Sequence, residues 1–139
     1  MNNYYAYQQP NYTKNSFENN YNANKLYEPY AGYIRGNMFP NSYNEYKIKN
    51  PFDIEPANEQ AKLLTYLDSF SFAAHDLNLY LDNFPDDRSL IDTFNQYRKE
   101  SIRLTKEYEQ KYGPLFLNSE TLEEYPWAWN NLPWPWDYQ

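Results

Sequence analysis

The chain has 139 residues, enough for one domain with a tail, and carries 12 Lys and Arg against 19 Asp and Glu, a formal net charge of −7. That balance repels phosphate backbones and argues against a nucleic-acid partner, and the absence of cysteine removes disulfides, thiolate metal clusters and thiol nucleophiles. Aromatic residues reach 21%, with 17 Tyr, 8 Phe and 4 Trp, a large stock of contact-making side chains.

The opening residues MNNYYAYQQ hold neither a basic start nor an apolar run, and no stretch approaches the roughly 20 apolar residues that a bilayer span needs. The expectation is a chain without membrane insertion that stays in the compartment where it is made. Residues 1–25 contain eight Asn and five Tyr but hardly any aliphatic side chains. Such a segment cannot bury enough apolar surface to offset chain ordering, and a disordered tail is expected. Residues 26–56 mix aromatics with four prolines and two of the three glycines, without helical or alternating periodicity. They read as an extended, turn-rich segment that docks on something.

From about Pro56 the pattern changes. Leu63, Leu67, Phe70, Ala74, Leu77 and Leu81 recur at steps of four and three, the seam of an amphipathic helix running to about Asp82. Pro56 suits its first position, or Asn58 its N-cap. Asn83, Phe84 and Pro85 force a sharp reversal. A second helix follows, with Leu90, Phe94, Tyr97, Ser101, Leu104 and Tyr108 at the same steps and with Ile91 and Ile102 widening the stripe. Asp86 and Asp87 cap its start, Arg103, Glu107 and Lys111 are spaced to pair along its exposed face, and Gly113 with Pro114 ends it. Each helix, at about 26 residues, is roughly 39 Å long, and the short turn makes the two antiparallel.

The fold class expected is therefore all-α: a long antiparallel two-helix hairpin with extended aromatic and Pro-rich segments packing on it. One helix pair leaves Leu64, Phe72, Leu79 and Ile102 in need of cover. The C-terminal segment, with one helical turn after Ser119 and then a proline-punctuated run holding all four Trp, is the local candidate for that cover. The division expected is a tail at 1–25, an extended segment at 26–56, and the hairpin with its Trp-rich end at 57–139.

Few residues suggest chemistry. His75 stands beside Asp76, but no second nitrogen or sulfur ligand accompanies it, and a satisfied or solvated histidine is the commoner outcome. No Ser or Thr has a nucleophile-like context. The pairs Asp86–Asp87 and Glu123–Glu124 are explained by capping and by a solvated turn. Gly32 and Gly36 lie in no phosphate-loop pattern and read as turn positions. Arg35, between them, either pairs with acidic groups of the hairpin or its tail or is solvated. No catalytic residue, cofactor or metal is expected.

Contact chemistry is better represented. Trp127 and Trp129, and then Trp134 and Trp136, alternate with prolines that hold the backbone extended. Intramolecular sealing is the reading for Trp127 and Trp129, while Trp134 and Trp136 stay open between sealing and anchoring a partner. Ten of the 17 Tyr precede the hairpin in sequence expected to be exposed, where phenols are available for oxidative cross-linking.

Three strings, HDLNLYLDNFPDD at 75–87, YEQKYGPL at 108–115 and WAWNNLPWPW at 127–136, resemble the CotJB family of spore-coat proteins over residues 60–137. Upstream, GYIRGNMFPNSYNEYK at 32–47 is similar to the companion family CotJA. The resemblance implies a non-enzymatic structural or assembly role in the inner endospore coat, reached from the mother-cell cytoplasm. It implies other coat proteins as partners, with self-association and a manganese catalase as further ones. An accessory subunit binding that catalase is the alternative role. The partner-binding candidates are Arg35, Phe39, Tyr80, Trp127, Trp129, Trp134 and Trp136.

Overall fold

A computed structural model describes residues 25–41 and 53–130. The expectations for the 1–25 tail and for Trp134 and Trp136 fall on residues outside that range, apart from Lys25. Helix α1 covers Pro29–Arg35, α2 Glu59–Asn83 and α3 Arg88–Tyr112, followed by 3-10 turns at Glu120–Glu123 and Ala128–Asn130.

Helices α2 and α3 pack against one another as the antiparallel hairpin that the seam periodicity predicts. Leu67, Ala74 and Leu77 of α2 are buried opposite Leu90, Tyr97, Leu104 and Tyr108 of α3. Each fully buried leucine contributes about 1.5–3 kcal/mol relative to exposure, so this seam dominates the stability of the pair. Phe70 meets Tyr97 edge-on with ring centroids 5.8 Å apart, and Ser71 and Ser101 share a hydroxyl hydrogen bond of 2.8 Å across the hairpin.

The helix ends follow capping chemistry. Asn58, not Pro56, starts α2, its Oδ1 accepting the Ala61 N–H at 2.8 Å. Phe84 and Pro85 make the reversal, where Asp87 N–H donates to the Phe84 carbonyl at 3.2 Å. Asp87 caps α3 by accepting the Leu90 N–H at 3.2 Å, and Gly113, at φ 107°, closes it in a backbone region that disfavours side chains.

One expectation needs correction. Residues 26–56 are not wholly extended, because Pro29 at the first position and Gly36 in a left-handed cap (φ 69°) frame the seven-residue α1. Seven residues are too few to display a helical period, so the Pro and Gly that punctuate this helix look like turn markers. The upstream segment also covers one side of the hairpin. Leu26 and Met38, at 3% and 0% exposure, complete one core with Ala73, Ala74, Leu77, Leu90 and Tyr97. Trp127 is 58% exposed, and Leu79 and Ile102 remain about half exposed.

The C-terminal segment makes the turn expected after Ser119, whose hydroxyl oxygen caps Thr121 N–H. Lys106 pairs with Glu120 at 3.2 Å, holding this turn near α3.

Candidate functional site

Three rings are stacked where the upstream segment meets the end of the hairpin. Phe39 lies 4.9 Å from Tyr80, and Tyr80 lies 4.6 Å from Phe84, centroid to centroid. Phe39 follows α1, Tyr80 belongs to the last turn of α2 and Phe84 caps that helix, so the stack joins all three parts. Phe84 is 55% exposed and presents the outer face of the stack. Two candidates from the sequence, Phe39 and Tyr80, are thus brought together, half-buried against each other.

Arg35 sits at the C-terminal end of α1, where its charge suits the helix dipole. Its guanidinium lies 5.0 Å over the Tyr27 ring, a cation–π contact, and its buried Nε has no hydrogen-bond partner among the described residues. Of the two readings left open for Arg35, pairing or solvation, neither describes this contact: among the described residues no ion pair reaches it, and the Tyr27 ring lies against its guanidinium.

The upstream segment is held by four kinds of contact. Met38 N–H donates to Asp76 Oδ2 at 2.9 Å, fixing its backbone to α2. Met38 also fills the space beside Gly32, where a Cβ would come within 2.2 Å of its sulfur. Tyr33 tilts against Phe72, 6.1 Å between centroids. The Tyr30 hydroxyl donates to the Asp53 carboxylate and accepts the Ile54 N–H at 3.1 Å. Burial, and then that Asp53 bond, push the Tyr30 phenol up to about 12.

At the far end of the hairpin, Glu109 is buried and its Oε1 accepts the Leu115 and Phe116 N–H groups at 2.9 and 3.3 Å. This carboxylate folds the chain back after α3. The pairing expected for Arg103, Glu107 and Lys111 is present and extends to Glu100, with contacts of 2.7, 2.9 and 2.6 Å. The Glu100 carboxylate, and then Glu107, raise the Arg103 guanidinium further, while Lys111 first and Arg103 next hold Glu107 below its ordinary range.

Two shallow grooves flank this end. One, of about 220 Å³, lies between the helices against Tyr66, Phe70, Arg103 and Tyr112. The other, of about 280 Å³, lies between α3 and the C-terminal turn, against Ile102, Lys106, Phe116 and Thr121. Arg103 on the first wall is tied up by two carboxylates. The second groove also holds the Ser119 and Thr121 hydroxyls, which bond one another at 2.9 Å, and the Glu109 carboxylate, which is taken up by backbone N–H groups.

His75 is exposed, and its neighbour Asp76 is engaged by the Met38 backbone. Among the described residues no three potential ligand side chains gather as a metal site would require. Asp87 serves as a cap, while Asp86, Glu123 and Glu124 are exposed. No described helix is long and apolar enough to cross a membrane. Trp129 is half-buried, and Tyr125 beside the exposed Trp127 is 98% exposed. The residues that sequence reasoning misses are Leu26, Tyr30, Gly32, Met38, Asp76 and Glu109. Only Gly32 carries a signal in the sequence, and it reads there as a turn.

A family model described as CotJB protein matches residues 61–137. It spans nearly all of α2, all of α3 and the C-terminal turns, whereas α1 and Met38 lie ahead of it. No curated protein and no solved structure matches the chain.

Proposed function

Because the chain belongs to the CotJB family, a spore-coat family, we propose that it is a non-catalytic structural and assembly protein of the inner endospore coat, acting through protein–protein contacts. The family match over residues 61–137 carries this reading. The exposed rings support the mode of action: Phe84 at the hairpin turn, and Tyr125 and Trp127 in the C-terminal segment, offer large apolar surfaces. Aromatic side chains of this kind commonly anchor interfaces.

The test is to follow the tagged full-length chain through sporulation. It is expected to leave the mother-cell cytoplasm and concentrate in the coat, and its deletion is expected to change the set of proteins extracted from the coat. A chain that stays in the cytoplasm, with an unchanged coat pattern in its absence, overturns the proposal. An accessory subunit for a coat manganese catalase is the finer alternative within the family, and stable co-purification of that enzyme with the chain would select it.

A further inference from the structure

The described tyrosines stand in two kinds of surroundings. Tyr30 is buried, with its hydroxyl bonded to Asp53 and to the Ile54 N–H. Tyr27 lies under the Arg35 guanidinium, and Tyr33 tilts against Phe72. In the hairpin, Tyr80 is stacked with Phe39 and Phe84, Tyr97 and Tyr108 are buried in the seam, and Tyr112 leans on Tyr108 with 5.2 Å between ring centroids. Burial also makes the Tyr30, Tyr33 and Tyr66 phenols hold their protons more tightly than usual. The upstream tyrosines within the described range, Tyr27, Tyr30 and Tyr33, are thus engaged by the fold rather than offered to solvent.

Tyr125 is the other kind. It is 98% exposed and lies between the two 3-10 turns, directly after Glu124, whose backbone is extended. Every residue from Glu123 to Trp127 is exposed, so a body as large as another folded protein can reach the Tyr125 ring. Oxidation of a phenol releases a proton as well as an electron. This stretch is open to water and carries the exposed carboxylates of Glu123 and Glu124 to receive it.

We propose that Tyr125 is a site of oxidative cross-linking, through which the chain is joined ring to ring with a tyrosine of a neighbouring molecule. The co-reactant is a peroxide-driven one-electron oxidant. Each of the two phenols gives up an electron and its hydroxyl proton, and the resulting radicals join by a carbon–carbon bond between ring positions ortho to oxygen. The hydrogens displaced from those carbons return to the oxygens through solvent and restore both phenols. One hydrogen peroxide takes up both electrons and both protons and leaves as water. Contacts held by aromatic packing are thereby made permanent. The inference deepens the assembly reading above and rests on it for its biological setting.

The test treats the full-length chain with hydrogen peroxide and a haem peroxidase, digests it after glutamates and sequences the cross-linked peptides by tandem mass spectrometry. The expected product is a covalent dimer with a ring-to-ring bond at Tyr125, in which Tyr30, Tyr97 and Tyr108 are unmodified. Tyr125→Phe keeps the ring, and with it any packing role, but is expected to lose those linkages at an unchanged melting temperature. Cross-linked peptides that never contain Tyr125, or bonds at Tyr30, Tyr97 and Tyr108 as frequent as at Tyr125, overturn the proposal. The same digest of coat extracts separates it from the assembly reading. A chain found in the coat with Tyr125 unmodified overturns the cross-linking and leaves the coat role standing; a bond at Tyr125 in a chain that never reaches the coat does the reverse.

Discussion

The backbone N–H of Met38 is held by the side chain of Asp76, 38 positions later, at 2.9 Å. One carboxylate on α2 thereby fixes the backbone of the segment that completes the core. Asp76→Ala leaves this donor without its acceptor in a part-buried site, a loss of about 1–3 kcal/mol. The substitution is expected to lower the melting temperature and to speed tryptic cleavage at Arg35, with Asp76→Asn, which keeps an acceptor, falling between it and the wild type.

Gly32→Ala tests the packing on the other side of Met38. The new methyl would lie 2.2 Å from the Met38 sulfur and 3.3 Å from the Asn37 carbonyl oxygen. Met38 is fully buried and has little room to move, so overpacking is expected to cost about 1–3 kcal/mol. Combining it with Met38→Ala should give a loss smaller than the sum of the two singles, measured by chemical denaturation as a double-mutant cycle.

Tyr30 makes an alkaline prediction. Its phenol is pushed up to about 12 in the fold, by burial and then by the Asp53 bond, from an ordinary value of 10.0. Between those values the unfolded chain gives up its proton first, so stability is complete below pH 10 and falls as pH rises toward 12. Tyr30→Phe should flatten part of that fall in thermal melts recorded against pH. It should not abolish it, because burial raises Tyr33 and Tyr66 in the same direction.

Glu109→Ala strips two backbone donors, Leu115 and Phe116, of their acceptor. The expected loss is about 1–3 kcal/mol, with faster amide hydrogen exchange concentrated in residues 113–123. Glu109→Gln keeps an acceptor oxygen and should retain much of the protection.

The hairpin is legible in the sequence because its signal is long and repeated. Leu67, Leu77, Leu90, Tyr97 and Leu104 lie on two seams with steps of four and three, and Asn58, Asp87 and Gly113 mark ends with chemistry that few other residues supply. Helix α1 is hidden because it makes only two turns. The choice of cover is hidden for another reason. Leu26, Met38 and the tryptophans are all large and apolar, and composition alone does not say which of them reaches the open side of α2. That choice is made by one buried glycine and one carboxylate, Gly32 and Asp76, whose importance is tertiary. Phe39 and Tyr80 are placed together by the fold, whereas Arg35 finds a tyrosine ring instead of an acid.

The order of these pieces along the chain has a consequence during synthesis. Leu26 and Met38 leave the ribosome well before the Leu77, Leu90 and Tyr97 they pack against. Until α3 has emerged, the nascent chain carries these apolar groups without their partners, in a crowd of identical chains made from the same message. At about 5–20 residues per second that wait lasts only seconds, and it sets how long these groups stay open to unwanted contacts.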